Sequence, residues 1–306
     1  MYMAHKIPDY KGVQYVTDKT TVDILWKQLK TLQDVAEEFG IENIFQDNGA
    51  EILQQLIYLN MKAVPGREGN DGVDINGCEW EMKSLDVSKG NSGITTNHHL
   101  NADIIEKYKT VPWSVAIYDR IHLKKIYIVG SKQLQATFQA WEQQLRKVKS
   151  LNNPKIPLVT IEEQGTLIYE EGWDFPVDPM EVLDTKPYIP LQKAYFVKTR
   201  KQREAIEAER TVAKAKKALS EAREACASAE KEAQEKENAA QNASAAEKKN
   251  AEKAYKEVRQ KADRSKKKVT NRAEKLSRAD ADKVVADTEA RAAAEAFAVA
   301  LQEFYE

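Results

Sequence analysis

Cysteine, long apolar runs and charge of a single sign are all scarce in this chain. Its two cysteines, Cys78 and Cys226, stand far apart in 306 residues and build no disulfide framework, which fits a reducing compartment. No apolar run approaches the roughly 18–20 residues that span a bilayer, and the start MYMAHKIPDYKG lacks the h-region of a secretory signal. A cytoplasmic protein is expected. With 47 Lys and Arg against 48 Asp and Glu, the net charge of −1 excludes a uniformly basic nucleic-acid coat protein. Glycine and proline are absent after residue 200: all 12 Gly, all 9 Pro and all 5 Trp precede it. Residues 1–200 carry 23 basic and 27 acidic side chains, net −4, and can build a globular core. Residues 201–306 carry 24 basic and 21 acidic side chains, net +3, with 29 alanines, the composition of a helical rod.

From Thr21 to Phe39, Val22, Leu25, Trp26, Leu29, Leu32, Val35 and Phe39 recur at spacings of mostly three and four, so the segment predicts a helix with one apolar face, closed by Gly40. A second helix is expected from Asn48 to Met61, with Ile52, Leu53, Leu56, Ile57 and Leu59 buried, before Pro65 and Gly66 break it. Gly72 to Ile75 and Cys78 to Leu85 read as strands joined by Asn76-Gly77, a pair that favours a hairpin turn with positive φ. A short helix follows from Ala102 to Tyr108, strands from Trp113 to Tyr118 and Lys124 to Val129, an amphipathic helix from Lys132 to Lys149, and two late strands, Pro157 to Glu162 and Gly165 to Tyr169. Residues 170–200 hold Pro176, Pro179, Pro187 and Pro190 and read as a connector packed on the globular half, which would cover Trp173, Phe175, Tyr188 and Tyr195. Beyond Lys201, Val212, Leu219, Cys226, Ala233 and Ala240 repeat every seven residues, with Ala215, Ala222 and Ala229 three places on, a coiled-coil seam of small residues. One continuous helix here would extend about 160 Å. An antiparallel hairpin turning near Gln241 to Asn250 hides two such seams and is preferred, although no Gly or Pro marks the turn.

In the second hairpin strand, alternation sends Trp80 and Met82 to one face and Glu81 and Lys83 to the other. A carboxylate beside an ammonium is by itself an ordinary exposed pair. What raises it is the preceding turn Gly66-Arg67-Glu68-Gly69-Asn70-Asp71, loaded with two more carboxylates. Asp and Glu oxygens suit Mg²⁺, and a Lys beside them can orient or deprotonate a water and offset phosphate charge, which is the equipment of phosphodiester hydrolysis. Parity tests which upstream carboxylate joins. If Asn76-Gly77 is a strict two-residue turn, Asp74 faces Glu79 and falls on the Glu81/Lys83 side, while Asp71 falls on the other. Asp71 reaches the site only ahead of the regular pairing, or through a bulge at Gly72 that shifts the phase.

The stretches IENIFQDNGAEILQQ, VPGREGNDGVDINGCEWEMKSLD, NHHLNADIIEKYKTVPW and LNNPKIP closely resemble the PvuII-type type II restriction endonucleases, of the PD-(D/E)xK nuclease superfamily, over about residues 20–169. The resemblance implies an α/β (α+β) core, with a mixed central sheet flanked by helices. It implies a homodimeric, Mg²⁺-dependent enzyme that cuts both strands of double-stranded DNA at the centre of the palindrome CAGCTG, leaving blunt ends, beside a cognate DNA methyltransferase. By motif matching, Asp71 and Glu81 ligate metal and Lys83 assists the water, which outranks the parity argument for Asp74 and calls for broken pairing near Gly72. Glu68 falls on the family's nearby acidic position, and Tyr108 matches a tyrosine close to the scissile phosphate. His98 and His99 match a major-groove histidine pair. Asn152, Asn153 and Lys155 match the late recognition segment, and Asp47 matches a residue near the minor groove that couples the subunits to DNA. Thr95 stands where a serine is expected and Asn97 where a third histidine stands, within the altered loop 89–97.

The expected domains are a nuclease domain over 1–169, with its dimerisation helices, a connector over 170–200 and a helical extension over 201–306. A core of net −4 requires that Lys107, Lys109 and Lys155 line a local positive cleft if it is to hold DNA. The alternative is a non-catalytic DNA-binding scaffold carrying a coiled-coil partner module, a reading disfavoured by retention of all three catalytic residue types.

Overall fold

The computed structural model describes residues 19–46, 48–64, 70–172 and 177–306. It divides into two compact units, residues 1–193 with 303–306, and residues 194–302. The strands of the first unit are β1 (Lys62–Ala63), β2 (Gly72–Val73), β3 (Glu79–Asp86), β4 (Gly93–Thr95), β5 (Trp113–Asp119), β6 (His122–Val129), β7 (Lys155–Pro157) and β8 (Thr166–Glu170). Its helices are α1 (Lys19–Glu38), α2 (Gly49–Tyr58), α3 (Ala102–Lys109), α4 (Gln135–Leu145), α5 (Leu158–Gln164) and α6 (Pro179–Val182). Among the described residues, six strands form one mixed sheet in the order β1-β2-β3-β5-β6-β8, and β4 pairs with β7 in a separate ribbon.

Every neighbouring pair in the sheet is antiparallel except β3 and β5. A parallel neighbour needs a crossover connection. Residues 87–112 supply it, and they carry both β4 and α3. Strand alternation then builds two cores. Trp80 and Met82 join Leu56, Tyr118 and Ile126 on one face, and Leu85, Val115 and Ile117 join Ile105, Phe138 and Ile161 on the other. Trp80 and Trp113 are fully buried. At about 150–250 Å² each and about 25 cal/mol/Å², each indole contributes roughly 4–6 kcal/mol of burial. α3 is positioned by its cap, the Asn101 side chain accepting from the Ile104 N–H at 3.0 Å.

Two segments differ from the sequence reading. Pro157 to Glu162 is no strand: Leu158 opens α5, and the pairing stretch lies just before it, at β7. The β-branched run Val159-Thr160-Ile161 suggests a strand, but Leu158 and Ile161 recur at helical spacing and Ile161 is the buried one. The stretch 188–200 is helical, since α7 (Tyr188–Gln241) starts inside the expected connector. Pro190 is its third residue, where the missing N–H has no partner to lose. Trp173, Phe175 and Pro176 lie outside the described residues.

Residues 194–302 are the greater part of α7 and α8 (Lys248–Tyr305), two helices packed together in an antiparallel hairpin that turns at 242–247. Val212, Leu219, Ala229 and Ala233 are buried along the seam, and Ala262 packs opposite the last two. Cross-links fix the antiparallel register: Lys201 pairs with Glu289 at 2.7 Å, Lys261 with Glu232 at 2.9 Å, and Arg272 donates to the Ala218 carbonyl at 3.0 Å. The turn is made without Gly or Pro by Ser244, whose carbonyl accepts from the N–H groups of Glu247 and Lys248. No described helix is long and apolar enough to cross a membrane.

Candidate active site

The hairpin loop holds three residues, not two. Gly72 stands opposite Trp80 and Val73 opposite Glu79. The Asp74 N–H donates to the Cys78 carbonyl at 3.0 Å, leaving Ile75, Asn76 and Gly77 as the loop, with Gly77 at φ +79°. A left-handed glycine at the end of a three-residue loop is the geometry of a bulged hairpin. The extra residue shifts the phase of the first strand by one. Asp74 therefore turns to the Trp80 side, where its Oδ1 accepts from the N–H groups of Asn76 at 2.8 Å and Cys78 at 3.0 Å, and its Oδ2 accepts from Trp80 Nε1 at 3.0 Å. Asp71 falls on the Glu81 and Lys83 side. The parity choice of Asp74 is thus corrected: the three-residue loop ending at Gly77 sets the phase, regular pairing with β3 ends at Gly72, and Asp71 lies just ahead of it, its N–H turned to the Trp80 carbonyl, as the sequence reading allowed.

Asp71 Oδ2 accepts from the Met82 N–H at 2.8 Å and stands 3.8 Å from Lys83 Nζ, which donates to Glu81 Oε1. Burial, with the Glu81 charge beside it, pushes the Asp71 carboxyl up to about 6. Burial works to lower the Lys83 ammonium, but the Glu81 and Asp71 carboxylates outweigh it and hold the group above the ordinary lysine value. Tyr108, from α3, is buried beside them, edge-on to Trp113 at 4.7 Å, and donates to the Thr96 carbonyl at 3.2 Å. Burial, then the Glu81 charge, raises its phenol, so the proton stays on.

Beyond this group lies a cleft of ≈ 250 Å³, with Asp71 and Lys83 on one wall, Thr95, Thr96, Asn97 and His98 on another, and Asn48 and Gln55 between. The wall is the β4–β7 ribbon. Thr95 stands opposite Lys155, and a bridge between Leu100 and Leu151 closes the ribbon beyond its tip. Between those rungs project His98 and His99 from one arm and Asn152 and Asn153 from the other, all exposed. Asn97 makes the bend, its side chain accepting from the His99 N–H at 2.9 Å, and Asn153 takes a left-handed φ of 49°. Two stretches 50 residues apart in sequence thus form the two arms of one pincer. Lys155 is exposed on it, and Lys107 bears electrostatically on Asp71. Lys109 is turned to Glu142 of α4 instead, a correction to the expected set of cleft lysines. Asp47 and Glu68 lie outside the described residues.

Sequence reasoning missed the supports. Gln55, fully buried, donates to the Lys83 carbonyl at 3.4 Å and accepts from Ser114 Oγ at 2.7 Å, and Ser84 donates to Glu51. The signal was a glutamine interrupting the apolar stripe of α2.

Among the described residues no cluster of three or more His, Cys, Asp or Glu side chains forms. The donor set that does converge, two carboxylates with Asp71 raised by burial and then by the Glu81 charge, suits a hard divalent cation. A family model, restriction endonuclease PvuII, matches residues 17–169, half of the chain, and the match spans the hairpin, the cleft and both arms of the ribbon. Its members cut double-stranded DNA and are generally dependent on a divalent metal. With hairpin, cleft and ribbon all inside the matched stretch, this chain belongs to the PvuII family of type II restriction endonucleases.

Proposed function

We propose that the chain works as a Mg²⁺-dependent homodimer that cuts both strands of the palindrome CAGCTG, leaving blunt ends, within a restriction–modification system that includes a cognate DNA methyltransferase. The observation that carries this reading is the convergence of Asp71, Glu81 and Lys83 at the mouth of a cleft walled by the Thr95–His98 arm. Asp71 and Glu81 would hold the cation, which when bound supplies positive charge against the scissile phosphate. Lys83 Nζ keeps its proton between the two carboxylates and so acts as a donor, orienting the attacking water or a phosphate oxygen. Tyr108, still protonated, fixes the Thr96 end of the ribbon beside it. His98, His99, Asn152 and Asn153 offer donors and acceptors to base edges, and Thr95 and Lys155 border them. Glu68 and Asp47 retain the roles that the resemblance implies for them.

α1 supports the dimer. Leu25, Trp26 and Leu32 are exposed within the described residues, and Trp26 stacks on the exposed Phe45 with ring centroids 6.4 Å apart. An apolar stripe of this kind on a helix fits a second copy of the same helix. Trp26→Glu is expected to weaken self-association by roughly 30-fold or more, since a central interface aromatic contributes about 2 kcal/mol or above. Sedimentation of the variant at the parent's dimer mass would remove α1 from the interface.

The direct test is incubation of the purified protein with plasmid DNA and Mg²⁺. Discrete blunt fragments ending at CAG and CTG are expected. Failure to cut any member of a broad sequence library defeats the endonuclease reading, and discrete cutting elsewhere shows that Thr95 and Asn97 have altered base choice.

A further inference from the structure

We infer that Gln192, outside the stretch matched by the family model, is a positioning residue that completes the backbone ladder of the catalytic strand. The inference rests on the reading of Glu81 and Lys83 given above. Along β3, the carbonyls of Cys78 and Trp80 turn toward β2 and accept from the N–H groups of Asp74 and Asp71, each at 3.0 Å. The Glu81 N–H turns the other way and donates to the Pro112 carbonyl at 3.0 Å. By the same alternation Glu79 presents its N–H and C=O to the β5 side. β5 has not begun there: its first residue is Trp113, and Pro112 has no N–H to give.

The Gln192 side chain, 4% exposed, fills the gap. Its Oε1 accepts from the Glu79 N–H at 3.0 Å, and its Nε2 donates to the Glu79 carbonyl at 2.9 Å and reaches the Thr110 carbonyl at 3.2 Å and Cys78 Sγ at 3.3 Å. One amide therefore stands in for a strand residue, bridging β3 and the chain just ahead of β5. The amide cannot be flipped, because its NH₂ would then face the Glu79 N–H. Removing it leaves backbone groups buried without partners two residues before Glu81. The same segment also braces the turn, with Asn76 Nδ2 donating to Thr185 Oγ1 at 3.2 Å, and the neighbouring Tyr188 hydroxyl accepts from the Ser131 N–H at 3.0 Å.

The test uses the full chain. Gln192→Met keeps the length and loses both kinds of bond, and Gln192→Glu keeps the acceptor for the Glu79 N–H and loses the donor. Gln192→Met is expected to need roughly 10–100-fold more Mg²⁺ for half-maximal cleavage, as for other partners that support metal ligands, with Gln192→Glu between it and the parent. Duplex affinity without divalent ion should stay close to the parent's. Hydrogen exchange at the Glu79 amide should accelerate in Gln192→Met and hold in Gln192→Glu. If Gln192→Met does not fold, Gln192→Glu carries the comparison. A cleaving parent whose variants show an unchanged Mg²⁺ midpoint overturns the inference, even if their melting temperature falls, because Gln192 would then be structural only. A parent that cuts no duplex defeats the nuclease reading instead, and unchanged exchange at the Glu79 amide would defeat the ladder itself.

Discussion

Lys83→Ala is expected to lower the turnover of duplex DNA by at least about 10²–10³-fold, the usual cost of deleting one donor aimed at developing charge, while affinity for the same duplex should stay within about tenfold. The split follows from where the side chain sits. Lys83 Nζ is held by Glu81 and faces Asp71 at 3.8 Å, and only 18% of its side chain is exposed, so it meets the cleft at one point and adds little to a DNA surface dominated by phosphate contacts elsewhere. The ammonium also relieves repulsion between two carboxylates, so the variant loses both the donor and the neutralising charge. Single-turnover cleavage at saturating Mg²⁺, beside binding measured without turnover, separates the two effects. Unchanged turnover would take Lys83 out of the mechanism.

Asp71→Asn and Asp74→Asn should fail in opposite ways, although the residues are three apart. Asp71→Asn keeps an oxygen for the Met82 N–H, so folding holds, but it removes one of two anionic oxygens offered to the cation, and cleavage should fall by roughly 10²-fold or more. Asp74 faces three N–H donors in the core with both oxygens in use. An amide there turns an NH₂ against a donor, which costs roughly 2–4 kcal/mol. For a unit of nearly 200 residues that is a melting shift of about 2–4 °C per kcal/mol. Cleavage by Asp74→Asn, assayed well below its melting point, should stay near the parent's. A stable but inactive Asp74→Asn beside an active Asp71→Asn would reverse the assignment of the two carboxylates.

That pair of residues also marks how far the sequence could be read. The Glu81/Lys83 face follows from strand alternation alone and holds in the structure. Which aspartate shares that face depends on whether the loop has two or three residues, and Asn76-Gly77 serves both. Motif resemblance pointed to Asp71, while the physical reason, a left-handed Gly77 ending a three-residue loop, emerges only with the pairing. The paired long helices were legible from composition and periodicity, and the mixed sheet from the motif resemblance. The β4–β7 ribbon was not, because three residues per arm carry no period and each is a strand only by virtue of the other. The inter-helix turn had a signal that went unused: Ser244-Ala245-Ala246-Glu247 has the spacing of a helix-start motif, which stops one helix and begins another without glycine. Gln192 had none, since a polar residue early in a long helix looks solvated until its partners 113 residues away are known.

The ribbon has a consequence for how such a protein diversifies. Its arms are tied at Thr95 opposite Lys155 and again at Leu100 and Leu151, so the residues at its tips are exchangeable parts on a fixed hinge. On the proposed role of these tips in reading base edges, mutations at Asn97 to His99, or at Asn152 and Asn153, would retarget the molecule to other base pairs without disturbing the machinery that severs the strand, and a descendant would acquire a new address one tip at a time.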